Sequence, residues 1–311
     1  MVRSNRKNAP KQPMAEVFGF PLDNFSPEAS RHRTYRLCPF NNKSPNCTKD
    51  KVGDPLGVCS IFYPGGTTIT CPVRFREQWQ IVELAATFLF PAGARWTSLP
   101  EVQLNDRQGK RAGNIDLVLA AYDGEGKIVD FGSLEIQAVY ISGNIRSAFA
   151  HYIADPSMGY DMDWSRERNY PRPDFLSSSR KRLVPQLMFK GGILHRWGKK
   201  QAVAVDRAFF ETLPLLPSVP REQASLAWFI YDLVLDSASK RFHLTHTETV
   251  YTAFETALAR INVAEPPLLD EFMTQLQKRF DAAQAGGNAP NGTTLADFLD
   301  PAESPIDPDA V

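Results

Sequence analysis

The fold is decided by the stretch Ile128-Val129-Asp130-Phe131-Gly132-Ser133-Leu134-Glu135-Ile136-Gln137-Ala138-Val139-Tyr140, which has the β-branched and apolar content of a strand. Two further strand-like runs precede it, at residues 99–104 and 115–122. Turn sequences separate the three runs, and Asp-Gly-Glu-Gly at 123–126 is a strong hairpin signal. The pattern predicts an antiparallel meander of three strands.

Periodic segments on both sides of the meander complete the fold. Residues 75–90 place apolar side chains at steps of three and four, which predicts an amphipathic helix, and Pro91 ends it. We expect an α/β fold with a mixed, α+β-like sheet. The other predicted elements are partial helix at 176–200, a buried strand at 201–206 reached by a crossover, a hairpin of 227–235 with 242–246, and helices at 247–261 and 267–283.

Composition changes along the chain suggest four segments. All four cysteines fall in a Pro-, Asn- and Gly-rich region with no sustained strand or helix period, so something other than a large core must hold it together. The expected order is a basic flexible arm at 1–14, a loop-rich four-cysteine metal-binding subdomain at 15–74, a core at 75–262, and a helix with an acidic disordered tail at 263–311.

The net charge conceals an uneven distribution. The whole chain has 35 Lys and Arg against 35 Asp and Glu, yet residues 164–200 hold ten basic residues and two acids, and residues 262–311 hold nine acids and two basic residues. The basic window is either a solvated face or an anion-binding surface. If it binds nucleic acid, its candidates for phosphate or guanine contacts are Arg180, Lys181, Arg182, Lys190 and Arg196.

Acidic residues interrupt the meander at positions where an apolar core would not favour them. Asp116 opens the second strand, Glu135 lies in the third, and Glu101 lies in the first. Glu135 and Gln137 share a face because strand side chains alternate. If Asp116 faces the same way, the converging carboxylates suit Mg²⁺ or Mn²⁺. The alternative is that these acids are ordinary residues on the wet face of an antiparallel sheet.

The four cysteines, Cys38, Cys47, Cys59 and Cys71, are separated by 8, 11 and 11 residues. Their restriction to one loop-rich segment favours a tetrahedral four-thiolate metal site, which zinc and a single iron both accept. Two disulfides and four unrelated buried thiols are the alternatives. The start of the chain lacks the apolar segment of a signal peptide, and an intracellular setting makes lasting disulfides unfavourable.

The order of these motifs resembles two nested groups of enzymes. An early acid, an Asp at a strand start and Glu-x-Lys about twenty residues later are typical of PD-(D/E)xK nucleases, with Gln137 here at the lysine position. The full set is similar to the NotI-type restriction endonuclease family. The matching stretches are Phe18-Gly19-Phe20, Cys38-Pro39-Phe40, Cys47, Gly57-Val58-Cys59, Cys71-Pro72, Glu101, Asp116, Leu134-Glu135-Ile136-Gln137, and the region from Ala227-Trp228 through Thr249-Val250-Tyr251.

This resemblance implies roles for individual residues. It makes 75–262 a restriction-endonuclease-like PD-(D/E)xK core, with Glu83 as a weaker candidate than Glu101 for the early acid. It also implies a homodimer that cuts double-stranded DNA at a GC-rich palindrome. The implied catalytic residues are Glu101, Asp116, Glu135 and Gln137, with Mg²⁺ on Asp116 and Glu135, and the implied structural iron ligands are Cys38, Cys47, Cys59 and Cys71, with zinc as the alternative metal.

We therefore expect a type II restriction endonuclease, soluble in a prokaryotic cytoplasm and independent of membranes. One alternative is a repair or junction-resolving nuclease of the same fold, which would recognise shape. Another is a metal-stabilised DNA-binding regulator in which the acids are inert. His243 and His246 form an H-x-x-H pattern, but we expect surface positions for them, because side chains three apart on a strand face opposite sides.

Overall fold

The structure, a computed structural model, describes residues 10–41, 44–51, 53–263 and 266–285. They belong to two compact units, one ending at Val263 and the other beginning at Ala264. The second unit contains a helix, Leu269–Ala285, close to the helix expected at 267–283. Most of the expected basic arm and the acidic tail lie outside the described residues.

The N-terminal segment contains a four-stranded sheet in the order β2-β1-β3-β4, although the sequence pattern indicated no strand there. The reason is burial, because β1 is buried along its whole length and so shows no polar alternation. The elements are β1 (Met14–Val17), β2 (Phe20–Pro21), α1 (Pro27–Thr34), β3 (Val58–Tyr63) and β4 (Gly66–Ile69).

A six-stranded sheet forms the centre of the first unit, in the order β12-β11-β10-β7-β6-β5. The predicted meander is confirmed, because β5, β6 and β7 pair antiparallel. β10 runs parallel to both β7 and β11, and β12 is antiparallel to β11. The strands are β5 (Trp96–Asn105), β6 (Arg111–Tyr122), β7 (Ile128–Gln137), β10 (Gln201–Asp206), β11 (Leu226–Asp236) and β12 (Arg241–Thr252), and a separate ribbon pairs β8 (Tyr140–Ser142) with β9 (Arg172–Asp174).

Helix α2 (Gln80–Leu89) packs on one face of the central sheet and buries Ile81, Val82 and Phe88. The helix expected from residue 75 is therefore shorter. Pro72–Trp79 is a 3₁₀ segment, and the left-handed φ of 53° at Gln78 and 56° at Trp79 separates it from α2. This break turns the chain between the N-terminal sheet and the core.

The opposite face carries a second apolar cluster. It joins alternate residues of β10 and β11, such as Val203 and Trp228, to two helical segments. One is α9 (Phe254–Asn262), and the other we call the basic helix, Phe175 to Arg196. The parts of the basic helix are α5 (Phe175–Ser178), a π turn (Ser179–Leu183), α6 (Val184–Gln186), a second π turn (Leu187–Gly191) and α7 (Gly192–Arg196). The other helices in the described part of this unit are α3 (Ile145–Ala154), α4 (Pro156–Gly159), α8 (Arg207–Phe210) and the short 3₁₀ helix Arg221–Gln223.

The prediction of a helix at 247–261 is wrong for its first residues. Residues from Thr247 continue strand β12 to Thr252, and the helix begins at Phe254. Thr247 does not cap a helix, since its hydroxyl donates to the carbonyl of Ile230 on β11 at 3.0 Å. Cross-strand pairing thus outweighs the local capping signal.

Asp206, at the end of β10, joins the two sheets. Its carboxylate accepts the hydroxyl of Thr68 at 2.8 Å and the backbone N–H of Ile69 at 3.1 Å, both in β4. It also accepts the N–H of Phe209 at the start of α8. The N-terminal sheet is therefore fixed to the central sheet at the C-terminal end of β10, beside the end of β7 that carries Gln137. No helix of the described part of the chain is both long and apolar enough to cross a membrane.

Candidate active site

Three acids lie in a row across neighbouring strands of the central sheet. The register that pairs Pro100 with Leu117 places Glu101 opposite Asp116. The register of β6 and β7 places Asp116 beside Glu135. The meander that the sequence predicted therefore brings all three acids together.

The carboxyl groups of Asp116 and Glu135 lie within hydrogen-bonding reach of each other. Burial, followed by the charge of Asp116, raises the pKa of Glu135 to about 8. Burial also raises the pKa of Asp116, although the N–H of Ile136 donates to its Oδ2 at 2.8 Å. Glu135 Oε1 is buried, and no donor among the described residues reaches it. Adjacent carboxylates of this kind require a shared proton or a cation.

These two acids fit a magnesium ion. Mg²⁺ in nucleic-acid enzymes is held by one or two carboxylates, with waters and substrate phosphate completing its ligands. Within residues 10–41, 44–51, 53–263 and 266–285 no three His, Cys, Asp or Glu side chains are placed as a ready ligand set. Asp116 and Glu135 are thus the pair that could hold the ion, with Glu101 beside them.

Glu101 has an unusual backbone for its residue type. Its φ is 55°, in the left-handed region that costs a non-glycine residue on the order of 1–3 kcal/mol. Its Oε2 accepts a long hydrogen bond from Asn114 Nδ2 at 3.4 Å, and the side chain is exposed. The strain lies within a paired strand and directly beside the acid pair, as is common for residues of functional sites.

An open cavity of about 600 Å³ adjoins the acid row. Glu101, Asp116 and Gln137 line it, and the amide of Gln137 donates from Nε2 to the carbonyl of Ala138 at 2.6 Å. Positive side chains line the cavity as well, so its charge is mixed. They are Lys49, Arg76, Arg146 and Arg182.

Three of these basic residues escaped the sequence analysis. Lys49, Arg76 and Arg146 are isolated basic residues outside the basic window, and no local pattern distinguishes them. Arg146 is held by an ion pair with Asp50, whereas Arg76 Nε is buried with no partner among the described residues. The sequence gives no signal for them, because three separate segments bring them to the cavity.

The prediction that Lys190 contacts DNA is corrected by its burial. Only 4% of Lys190 is exposed, and its Nζ lies 2.7 Å from Glu135 Oε2 and 2.6 Å from the carbonyl of Asn114. An ammonium group committed to a buried carboxylate is not free for a phosphate or a guanine. The other four candidates, Arg180, Lys181, Arg182 and Arg196, are exposed.

Arg182 is the candidate on the basic helix that lines the cavity. Its guanidinium lies 4.5 Å from the centre of the Tyr140 ring, a cation–π distance that limits its conformations. Tyr140 starts the β8–β9 ribbon, so the strands after the acid row also orient this arginine.

The four cysteines interact electrostatically with one another. Burial is the main reason that the pKa of Cys59 is raised, and negative charge on its neighbours raises it further. These neighbours include Cys71, Cys38 and Cys47. Burial likewise raises the pKa of Cys38 to about 12. Buried thiols of this kind become thiolates only when a cation binds. The donor set therefore fits a four-thiolate metal, although the described side chains are not placed as a complete ligand set.

The histidines are exposed on β12, as predicted. His243 Nδ1 lies 3.1 Å from Glu77 Oε1, and His246 Nε2 lies 2.9 Å from the hydroxyl of Thr249.

Glu83 is exposed on α2 and is not among the described residues that line the cavity. Glu101 is therefore the better candidate for the early acid.

A mixed sheet flanked by helices, with acids aligned on its antiparallel strands, is the restriction-endonuclease-like fold. The family described as "Restriction endonuclease NotI" matches residues 16–244. The chain belongs to this family, which confirms the resemblance seen in the sequence and makes it a DNA-binding restriction nuclease. No curated protein matches the chain.

Proposed function

We propose that the chain is a Mg²⁺-dependent type II restriction endonuclease that cuts both strands of DNA at a specific palindrome. The observation that carries the proposal is the row of Glu101, Asp116 and Glu135 beside a cavity that also holds basic side chains. Inert acids on a wet sheet face would be solvated, whereas Glu135 is 6% exposed and in contact with Asp116. The ammonium group of Lys190, 2.7 Å from Glu135 Oε2, balances one of the two negative charges, and a proton or a metal ion is needed for the other.

In this proposal Asp116 and Glu135 hold the magnesium ion. When bound, Mg²⁺ polarises the scissile phosphate and lowers the pKa of a coordinated water. Glu101 adds negative charge on the exposed side of the same row. Gln137 faces the cavity with an amide fixed by the carbonyl of Ala138, so it orients a water or phosphate oxygen without adding charge.

The cations of the cavity and the basic helix would bind the DNA backbone. Arg182 and Arg146 line the same cavity as the acids, so a phosphate held by them would lie near the ion. Lys49 is not free for this role, because its Nζ donates to the carbonyl and the hydroxyl of Thr70 at 3.0 and 3.2 Å. The exposed residues Arg180, Lys181 and Arg196 extend the positive surface along the helix. Its arginines are suited to guanine, which agrees with the GC-rich site that the family resemblance implies.

A palindromic site implies a homodimer, because a two-fold axis in the protein then matches the axis of the DNA.

The remaining part of the proposal concerns Cys38, Cys47, Cys59 and Cys71, which would hold one structural iron, or zinc, by four thiolates. In this reading the metal stabilises the N-terminal segment and takes no part in cleavage.

The test is digestion of a mapped DNA with Mg²⁺, followed by sequencing of the ends. We expect discrete fragments whose ends share one symmetric sequence. Glu135→Ala and Asp116→Ala should bind the same DNA but fail to cut it, while Glu125→Ala, in an exposed turn, serves as the matched control.

Other outcomes support other functions. Ends scattered over the DNA, or cleavage confined to branched substrates, would indicate a repair or junction-resolving nuclease. Binding without any cleavage in Mg²⁺ or Mn²⁺ would indicate a regulator with inert acids. Elution of the DNA-bound protein as a monomer would contradict the homodimer.

A further inference from the structure

Lys190 occupies a position that its place in the sequence does not suggest. It lies on the second π turn of the basic helix, and its ammonium group reaches across to the acid row. Nζ donates to Glu135 Oε2 at 2.7 Å and to the carbonyl of Asn114 at 2.6 Å. The two acceptors lie on β7 and β6, so a single side chain contacts both strands that carry the paired acids.

The surroundings are shaped to admit this side chain. Gly113 on β6 has a φ of 138°, and a Cβ atom there would lie 3.1 Å from Lys190 Cδ and 3.4 Å from Cγ. Glycine at this position therefore leaves the path of the lysine stem open. The π turn also affects the direction of Lys190, because the extra residue in the turn rotates the side chains that follow. Turns of this kind often occur at functional sites.

The contact matters because of the charge it supplies. The PD-(D/E)xK pattern has a lysine two residues after its glutamate, and this chain has the neutral Gln137 there. Asp116 and Glu135 would otherwise be adjacent carboxylates with no positive partner on their own strands. A buried lysine is itself costly unless it is paired, so the pairing satisfies both groups.

We propose that Lys190 is a positioning residue of the nuclease site, which supplies from the basic helix the positive charge that the Glu-x-Gln motif lacks. It holds Glu135 by Oε2 and leaves Oε1 and the carboxylate of Asp116 to face the ion. The positive charge that the lysine of the pattern would supply thus comes from a residue on another element, which acts through Glu135. This inference rests on the proposed function, because it assigns a part within the same site.

The experiment exchanges the charge between the two positions. Lys190→Met keeps the stem but removes the ammonium, Lys190→Arg keeps the charge, and the double variant Lys190→Met with Gln137→Lys returns the charge to the motif. Single-turnover cleavage is measured with Mg²⁺, and DNA affinity is measured with Ca²⁺. Lys127→Met, an exposed lysine in the β6–β7 turn, is the matched control.

We expect Lys190→Met to cut at least about 100-fold more slowly, a loss typical of a fixed electrostatic partner, with DNA affinity within about 3-fold of the parent. The double variant should regain about 10-fold or more, and Lys190→Arg should lie between the parent and Lys190→Met. A Lys190→Met protein that cuts at the parent rate overturns the proposal. So does a double variant that is no faster than Lys190→Met, because a purely structural lysine would not be replaced from position 137.

A second measurement does not depend on cleavage. Thermal unfolding is compared for the parent, Glu135→Gln, Lys190→Met and the variant with both changes. Lys190→Met should lower Tm by about 5 °C or more in the parent and by clearly less in the Glu135→Gln background, because the paired charge is already gone. Equal shifts in both backgrounds overturn the proposal, whereas a parent chain that cuts no DNA refutes only the proposed function.

Discussion

Arg74 and Glu16 form an ion pair in which neither side chain is exposed to solvent, with Arg74 Nε 3.1 Å from Glu16 Oε2. Glu16 lies on β1, and Arg74 also donates to the carbonyl of Phe242 on β12 at 2.9 Å. The pair therefore links the N-terminal sheet to the far edge of the central sheet. Replacing either residue with a neutral one leaves the other as a buried charge without this partner.

We expect Arg74→Met to lower the free energy of unfolding by about 3–5 kcal/mol, as is usual when one member of a buried pair is removed. Urea denaturation measures this value. Arg36→Met breaks the exposed pair with Asp54 and should cost less than about 1 kcal/mol. If the two variants were equally stable, the buried pair would not be a stabilising contact.

Asp206 makes stability depend on pH. Burial raises its pKa from 3.8 to about 7, so the folded chain holds a proton that the unfolded chain releases. The stabilisation is complete below about pH 4 and is lost as the pH rises through about 7. Between these values the stability of the parent should fall more steeply than that of Asp206→Asn. Denaturation at several pH values checks the difference in slope, and identical slopes would contradict the assignment.

Arg182→Ala should weaken DNA binding without changing the acid row. Removing one phosphate contact should reduce the slope of log affinity against log salt by about 1. Fluorescence anisotropy at several salt concentrations measures this slope with Ca²⁺ present. Lys127→Ala is the control with an unchanged slope, and an Arg182→Ala protein that matches it would exclude Arg182 from the DNA surface.

Gly113→Ala should impair cleavage more than Gly66→Ala does. Both glycines have a φ of 138°, so both substitutions strain the backbone. Only at Gly113 does the added Cβ meet the stem of Lys190, at 3.1 Å, whereas at Gly66, in β4, nothing of the described chain lies within 4 Å. Single-turnover rates for the two variants separate the strain from the contact; equal rates would show that the space beside Lys190 is unimportant.

The purified chain should contain about one iron or zinc per polypeptide, bound by the four cysteines. Elemental analysis identifies the metal, and an iron–thiolate site also absorbs visible light. Cys59→Ser should lose the metal and unfold at a lower temperature, because metal binding is coupled to folding. A Cys59→Ser protein with full metal content and an unchanged Tm would argue against a structural four-thiolate site.

The meander and its acids could be predicted from sequence because strand alternation and turn residues are local signals. β1 escaped prediction since a strand buried on both sides shows no alternation. The role of Lys190 could not be predicted, for a different reason. Lys190 and Glu135 are 55 residues apart, and a helical sequence pattern does not indicate which distant residue a lysine will contact. In sequence Lys190 lies among exposed basic residues, whereas the packing of the helix on the sheet turns it inward.

The link between Thr68 and Asp206 also has a consequence for synthesis of the chain. These partners are 138 residues apart, so β4 leaves the ribosome well before its acceptor does. At usual elongation rates of 5–20 residues per second the delay is roughly 7 to 30 s. During that time Thr68 lacks Asp206, and Arg74 lacks the carbonyl of Phe242. The contacts that join the N-terminal sheet to the central sheet therefore form late in translation, when nearly all of the first unit has emerged.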